Sequence, residues 1–469
     1  MPNVVIIGGG PGGYEAALVA QQLGADVTVV DRDGLGGSAV LTDCVPSKTL
    51  IATAEVMTDM AAAGELGITS EDRQGDAATT IGVDLAKVNA RVKALAAAQS
   101  RDIEARLARR DIRIVKGLGR LGQGAGAGGG EVIATLPDGT EQTFHADSVL
   151  IATGARPRVL DSAQPDGERI LTWEQVYDLD ELPEHMIVVG SGVTGAEFAS
   201  AYLALGCQVT LVSSRDRVLP GEDADAAEVL QDVLERRGMN ILGNSRMASV
   251  AREGDTVTVT LADGRTVSGS HCILALGSIP NTEGLGLEEA GVRLDEGGFI
   301  RIDKVSRTTA PGVYAAGDCT GGFMLASVAA MAGRVAMRHF LGDAVQPVDL
   351  REISSNVFTS PEIATVGWSA AAVEKGEIEA DVVKLDLTGN PRAKMQGITD
   401  GFVKLIARRG SGVVVGGVVV GPRASELIHP IALAVKANLT VDQLANTFTV
   451  YPSLSGSTAE AARRLHRVD

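Results

Sequence analysis

The chain has 469 residues, 45% of them hydrophobic, which is enough for about three domains with their own cores. Its 59 acidic and 42 basic side chains give a formal net charge of -17, which disfavours broad contact with nucleic acid or an anionic membrane and favours small-molecule partners. Four scattered cysteines, no basic leader and no apolar run of about 18 residues predict a cytoplasmic chain that is neither exported nor membrane-inserted.

The first predicted element is a βαβ unit from Val4 to Asp33. An apolar strand leads into a turn with GxGxxG spacing, a helix follows, and a second strand ends at Asp31; the turn glycines are Gly8, Gly10 and Gly13. In such a unit the glycines allow a tight turn, the approach of a pyrophosphate and close helix packing, while the helix N-terminus faces the anion. Asp31 suits the ribose hydroxyls of FAD or NAD. A single such motif can also be only a glycine turn.

The next feature is a lone cysteine in the segment GGSAVLTDCVPSKTL. Cys44 precedes Pro46 at a predicted helix start. Its thiol could be inert, or it could be a poised thiolate, because a helix N-terminus lowers the pKa of a thiol.

The βαβ pattern recurs between Met186 and Asp216, and this recurrence argues against a chance match of both copies. Its predicted cofactor-binding glycines are Gly190, Gly192 and Gly195. After its second strand the chain has Ser213, Ser214 and Arg215 instead of a carboxylate. Without an acidic side chain to repel a 2′-phosphate, this site favours NADPH or tolerates both nicotinamide cofactors.

Two short strand-turn segments resemble each other, VLIATGARP at 149–157 and ILALGSIPN at 273–281. We predict that their turn residues Thr153, Gly154 and Gly277 lie at the cofactor sites. Either segment alone could be a generic buried strand with a Gly/Pro turn.

A further apolar strand, at 312–316, delivers Asp318 in a Gly-Asp turn before a helix of small residues. A carboxylate there can accept hydrogen bonds from the polyol chain of a flavin, and the helix can direct its positive end at the flavin ring. The alternative is that Asp318 only caps a helix.

In order and spacing, these motifs and VFTSPEIATVG at 357–367 resemble the flavoprotein disulfide reductase family. The resemblance implies an α/β fold with two Rossmann-like domains and an α+β dimerisation domain. It places FAD at residues 1–155 and 275–345, NADPH or NADH at 156–274 and the dimerisation domain at 346–469. It also implies a homodimer whose active site takes residues from the partner's C-terminal segment, with no metal.

The sequence departs from the family where the thiol chemistry resides. Of the two cysteines of the family motif, the first aligns with Ala39 and only the second, Cys44, is present. The histidine and glutamate of the family acid/base pair align with Tyr451 and Gly456. Disulfide reduction needs two thiolates and a base, so we predict that this activity is absent.

The residues that the resemblance assigns to flavin reduction are retained. Lys48 matches the family lysine beside the flavin, and Glu197 matches its ion-pair partner, although each could be an ordinary surface charge. Electrons from NAD(P)H would then leave the flavin directly for a quinone, with Tyr451 as an aromatic wall beside the acceptor.

Three alternatives stay open at this stage. The chain could be a soluble pyridine nucleotide transhydrogenase, or a non-enzymatic flavin-loaded dimer. It could also be a disulfide reductase that uses Cys319 or Cys207 as a second thiol.

Overall fold

The computed structural model describes residues 1–68, 82–125 and 129–466. The chain divides into two compact units. The first unit comprises residues 1–49, 89–158 and 277–349, and the second comprises residues 50–88, 159–276 and 350–469. The division into three domains expected from the sequence stays a prediction.

Helices and strands alternate through most of the described residues. In chain order the α-helices are α1 (Pro11–Gln22), α2 (Gly37–Leu41), α3 (Cys44–Ala62), α4 (Leu85–Ala108), α5 (Val193–Leu205), α6 (Ala224–Arg236), α7 (Ala326–Phe340), α8 (Ala370–Glu374), α9 (Pro391–Met395), α10 (Ala424–Leu427), α11 (His429–Ala437), α12 (Val441–Ala445) and α13 (Gly456–Leu465). The strands are β1 (Asn3–Ile7), β2 (Asp26–Asp31), β3 (Arg113–Lys116), β4 (Leu118–Leu121), β5 (Gly130–Thr135), β6 (Glu141–Ala146), β7 (Ser148–Ile151), β8 (Ala155–Pro157), β9 (Ile170–Thr172), β10 (His185–Val189), β11 (Gln208–Val212), β12 (Asn240–Leu242), β13 (Met247–Glu253), β14 (Thr256–Leu261), β15 (Thr266–Gly269), β16 (His271–Leu274), β17 (Ser278–Pro280), β18 (Val313–Ala315), β19 (Ser354–Val357), β20 (Glu362–Gly367), β21 (Ala380–Asp386), β22 (Phe402–Arg408) and β23 (Val414–Gly421).

The first unit is built on a parallel sheet in the order β18-β7-β1-β2-β3. Four of the five residues of β1 are buried, as expected of a strand covered on both faces. α1 and α7 pack together because Gly12 and Gly333 let their backbones meet; a Cβ on Gly333 would lie 2.1 Å from the Gly12 carbonyl oxygen. The antiparallel sheet β4-β5-β6 and the pair β17-β8 complete this unit.

The second unit contains a parallel sheet in the order β12-β11-β10-β16-β9 and a small antiparallel sheet, β13-β14-β15. Its third sheet is antiparallel, β19-β20-β23-β22-β21, and its central strand β23 is buried at all eight positions. α11 and α13 contribute apolar residues such as Ile431 and Ala462 to the core of this last sheet.

In both parallel sheets the strand order reverses at the strand that opens a βαβ unit, because a later strand is added on its other side. β1 lies between β2 and β7, and β10 lies between β11 and β16. In open α/β sheets, ligands bind beyond the carboxyl end of such a strand. The α/β fold with two Rossmann-like units is therefore confirmed. The glycine turns follow β1 and β10, at the carboxyl ends where this fold binds ligands.

Candidate functional site

The first glycine turn connects β1 to α1 and has no room for a side chain at the first and third glycines of the motif. Gly8 has φ +106°, and a Cβ on it would lie 2.2 Å from the Ala152 carbonyl oxygen. A Cβ on Gly13 would lie 1.9 Å from the Gly8 carbonyl oxygen. No side chain caps α1, which starts after Gly10, so its N-terminal amides are suited to an anion.

Asp31 is the last residue of β2, as predicted. Its carboxylate accepts hydrogen bonds from the amides of Gly9 at 2.6 Å, Asp33 at 3.0 Å and Gly34 at 2.6 Å. It thereby fixes the glycine turn against the loop after β2. Carboxylate oxygens keep further acceptor capacity, and contact with a ribose stays a prediction.

Cys44 is the first residue of α3, so the predicted helix start beside this thiol is confirmed. The amide of Ser47 donates to the Asp43 carbonyl at 2.7 Å and closes the first turn. Lys48 follows in the same helix, and its charge holds down the pKa of the Asp43 carboxyl against a larger rise caused by burial. A thiol, a carboxyl and a cation are thus gathered at one helix end.

The proposed alternative second thiols are poor nucleophiles. Burial raises the pKa of Cys207 to about 12 and that of Cys319 to about 11. The Cys319 thiol donates to the carbonyl oxygens of Ile151 at 3.7 Å and Ala316 at 3.5 Å. Both thiols are protonated near neutral pH, which argues against a cryptic dithiol.

The two segments that look alike in sequence pair with each other, since β8 and β17 form an antiparallel ladder. Thr153 Oγ1 donates to the Asn281 carbonyl at 2.7 Å, and the Asn281 side-chain amide donates to the Thr153 carbonyl at 2.9 Å. Gly154 and Gly277 both have positive φ, +69° and +84°. Asn281 therefore shapes this turn, a role that the sequence did not reveal because it depends on the pairing.

Asp318 is half-buried at the start of a short 3₁₀ turn, Asp318–Thr320. Burial, with a further contribution from the Asp43 carboxylate, raises the pKa of Asp318 to about 6. The alternative that Asp318 is only a helix cap is wrong, because its side chain caps neither this turn nor α7, whose N-cap is Leu325.

The second glycine turn repeats the geometry of the first. Gly190 has φ +117°, and a Cβ on Gly195 would lie 1.8 Å from the Gly190 carbonyl oxygen. A Cβ on Gly192, in contrast, would meet nothing within 4 Å. α5 starts after Gly192 without a side-chain cap, which leaves its N-terminal amides suited to a second anion.

The three residues after β11 divide into two roles. Ser213 is buried, and its hydroxyl is 2.7 Å from the Ser191 hydroxyl and accepts from the Arg215 amide at 3.1 Å. Ser214 and the Arg215 side chain are exposed. Ser213 therefore stabilises the turn, and Ser214 and Arg215 are better placed for a 2′-phosphate.

Glu197 and Tyr451 differ in their surroundings. Glu197 is only 3% exposed on α5, and its Oε1 accepts from the Phe358 amide at 2.8 Å. The alternative that it is a surface charge is therefore wrong. Tyr451 is 82% exposed beside the exposed Val450 and Phe448, so these residues offer an apolar surface in the single chain.

Residues 2–333 match the model of the pyridine nucleotide-disulphide oxidoreductases, and residues 353–462 match the dimerisation domain of that family. The chain belongs to this family. Its members are oxidoreductases that use FAD and NAD(P)H. Among the described helices, none is long and apolar enough to cross a bilayer.

Relatives in this family span nearly the whole chain. An NAD(P)H dehydrogenase (quinone) of Mycobacterium tuberculosis is 54% identical over 469 residues, covering 99% of this chain and 94% of the relative. A dihydrolipoyl dehydrogenase of Chlorobaculum tepidum is 34% identical over 464 residues, covering 98% of this chain and 96% of the relative.

Solved structures show the same fold. The crystal structure of LpdA from Mycobacterium tuberculosis matches with a TM-score of 0.95 and 54% identity over 100% of both chains. The flavoprotein disulfide reductase RclA from Escherichia coli, at 23% identity, shares the fold with a TM-score of 0.84 over 98% of this chain and 99% of its own.

The residues of the first unit fit the FAD that the family requires. The glycine turn leaves space and free helix amides for a pyrophosphate, and Asp31 stands at the end of the neighbouring strand. Asp318 presents a half-buried carboxylate to which no donor of the described residues bonds. Such a group is costly unless a ligand supplies the hydrogen bond.

Proposed function

We propose that the chain is an FAD-dependent NAD(P)H:quinone oxidoreductase that acts as a cytoplasmic homodimer and lacks disulfide reductase activity. The observation that carries the proposal is the combination of two intact glycine turns with a single accessible thiol. Cys44 is half-buried, whereas the other three cysteines are buried, and none of the four forms a disulfide. Free thiols also fit a reducing compartment.

The reaction balances without a thiol relay. NAD(P)H and one proton convert a quinone to a hydroquinone and leave NAD(P)⁺. When bound, FAD supplies the two-electron step between the nicotinamide and the acceptor. The chain supplies binding through the two helix N-termini and electrostatics through the groups at the start of α3.

The support for a quinone acceptor is chemical. A dithiol has to form and break a disulfide in each cycle, and one thiol cannot do this. Ala39 supplies no thiol and Gly456 no carboxylate, and Tyr451 replaces the histidine of the family acid/base pair. A planar acceptor that takes electrons directly from the flavin needs none of these groups. The Mycobacterium tuberculosis relative is named for such an activity, which supports the same conclusion.

Lys48 and Glu197 are proposed to act in flavin reduction. Loss of a cation where negative charge develops typically slows turnover by about tenfold to a thousandfold. Glu197→Gln is a useful comparison with Lys48→Ala, because the amide oxygen can still accept from the Phe358 amide while the charge is lost. Both variants should slow flavin bleaching by NAD(P)H and leave FAD bound.

The test is anaerobic reduction of the purified holoprotein with NADH and NADPH separately. The reduced protein is then mixed with a naphthoquinone, with lipoamide, with oxidised glutathione and with NAD⁺. Rapid reoxidation by the naphthoquinone alone is expected. Preferential reoxidation by NAD⁺ would instead support a transhydrogenase, and bound FAD that does not bleach would support a non-enzymatic role.

A further inference from the structure

A second carboxylate, Asp43, influences Asp318 electrostatically and accepts no hydrogen bond from the described residues. Asp43 precedes α3, and an aspartate at this position usually accepts from the amide of the second or third helical residue. Here the third residue is Pro46, which has no amide hydrogen. No donor in the described ranges bonds to the half-buried Asp43 carboxylate.

The backbone holds this side chain in place. The Asp43 amide donates to the Ser38 carbonyl at 2.8 Å, and its own carbonyl accepts from Ser47 at 2.7 Å. These bonds join the first turn of α2 to the first turn of α3. The carboxylate is therefore on a fixed backbone, and its unmet acceptor capacity is a feature of the fold.

The segments that carry the two carboxylates both pack against the first glycine turn. Ahead of α2, the Gly36 amide donates to the Gly9 carbonyl at 2.8 Å. On the other side, a Cβ on Gly12 would lie 3.3 Å from the Ala316 carbonyl oxygen, two residues before Asp318. Both carboxylate-bearing segments thus contact the first glycine turn.

The two carboxylates influence each other electrostatically. Burial and then the Asp43 charge raise the pKa of Asp318 to about 6. Burial also raises the pKa of Asp43, although Lys48 counteracts part of that rise. These three charged groups come from α3, the residue before it and the 3₁₀ turn. Two neighbouring carboxylates without donors are unfavourable unless a ligand provides hydroxyl groups.

We infer that Asp43 is a second FAD-binding carboxylate, which accepts hydrogen bonds from hydroxyl groups of the cofactor's ribityl chain together with Asp318. Lys48 balances part of the charge that the pair brings to the site. The inference depends on FAD binding and not on the acceptor that the enzyme reduces.

The test measures FAD release from the holoprotein, followed as recovery of free flavin fluorescence at a fixed temperature. Asp43→Ala should release FAD about tenfold faster or more, since a hydrogen bond to a charged group is lost. Asp43→Asn should have a smaller effect, because its amide oxygen still accepts. Asp102→Asn and Asp102→Ala, at an exposed position on α4, should match the unmodified protein.

The pH dependence distinguishes a ligand contact from a packing effect. A carboxylate is a better acceptor than a carboxylic acid, so release from the unmodified protein should accelerate as the pH falls below the pKa of Asp318, which is about 6 without the cofactor and lower when hydroxyl groups donate to it. Asp43→Asn removes the like charge that raises the pKa of Asp318, so the acceleration should shift to lower pH. A packing effect would change the rate at every pH without this shift.

An Asp43→Ala protein that keeps FAD as long as the unmodified protein would overturn the inference. So would an Asp43→Asn protein that releases FAD faster with an unshifted pH profile. Neither measurement involves NAD(P)H or quinone, so a failure of the proposed quinone activity would not affect the result.

Discussion

Gly195 offers the sharpest test of the second nucleotide site. A Cβ at this position would lie 1.8 Å from the Gly190 carbonyl oxygen, about 1.2 Å short of the 3.0 Å that real Cβ atoms require. In Gly195→Ala, α5 must therefore move away from β10 by about that distance, or the turn must deform. A displacement of about 1 Å at a cofactor-positioning element can slow a reaction about a hundredfold.

The assay is anaerobic stopped-flow bleaching of bound FAD by NADPH and by NADH. Gly195→Ala should retain FAD, because the first glycine turn is intact, but its flavin should be reduced about a hundredfold more slowly. Gly221→Ala should behave as the unmodified protein, since a Cβ there meets nothing within 4 Å.

Gly192→Ala tests whether the backbone at this position contacts the cofactor, without disturbing the fold. A Cβ on Gly192 meets nothing within 4 Å and the backbone has φ -73°, so the variant should be as stable as the unmodified protein. It should nevertheless raise the KM for NAD(P)H, because a methyl group would stand between the backbone and a pyrophosphate. Flavin reduction by Gly195→Ala at the unmodified rate would refute the assignment of this turn.

Three further predictions concern charge. Lys404→Met should lower the free energy of unfolding in chemical denaturation by about 3–5 kcal/mol, because Lys404 Nζ is buried 2.7 Å from both carboxylate oxygens of Asp223. The control Lys384→Met, at a half-exposed site, should lower it by about 1 kcal/mol or less. Arg215→Ala should raise the KM for NADPH and leave that for NADH unchanged; equal effects in steady-state assays would refute the 2′-phosphate assignment. Burial, and then neighbouring arginines, lower the pKa of His271 from 6.5 in the unfolded chain to about 4 in the folded protein. As the pH drops from about 6.5 to about 4, the unfolded chain therefore binds a proton before the folded protein does, and the free energy of unfolding decreases. Thermal melts of His271→Gln should show a smaller decrease over this pH range.

The parts of the fold that the sequence predicted are those with strong local signals. Both βαβ units follow from apolar strands and glycine spacing, and β2 ends at Asp31 as expected. The start of α3 at Cys44 followed from Pro46. The pairing of β8 with β17 was not predictable, because it joins distant segments whose register depends on the folded core.

Only those parts of the candidate site that have a local sequence signal were predicted. The glycines and Asp318 belong to recognisable motifs, but the burial of Ser213 and of Glu197 depends on elements distant in the chain. Asp43 was missed because an aspartate before a helix looks like an ordinary cap. Pro46 at the third helical position was the available signal, since it removes one of the two amides that such a cap can use.

The most direct measurement of the central claim compares quinone and lipoamide turnover by the unmodified protein and by Cys44→Ser. We predict NAD(P)H-dependent naphthoquinone reduction by both proteins at rates within about threefold, since Ala39 stands where the family has the cysteine with which Cys44 would form a disulfide. Lipoamide reduction by either protein should be negligible. Loss of quinone turnover in a Cys44→Ser protein that still binds FAD would show that the thiol participates in the reaction. Substantial lipoamide turnover by the unmodified protein would contradict the proposed function itself.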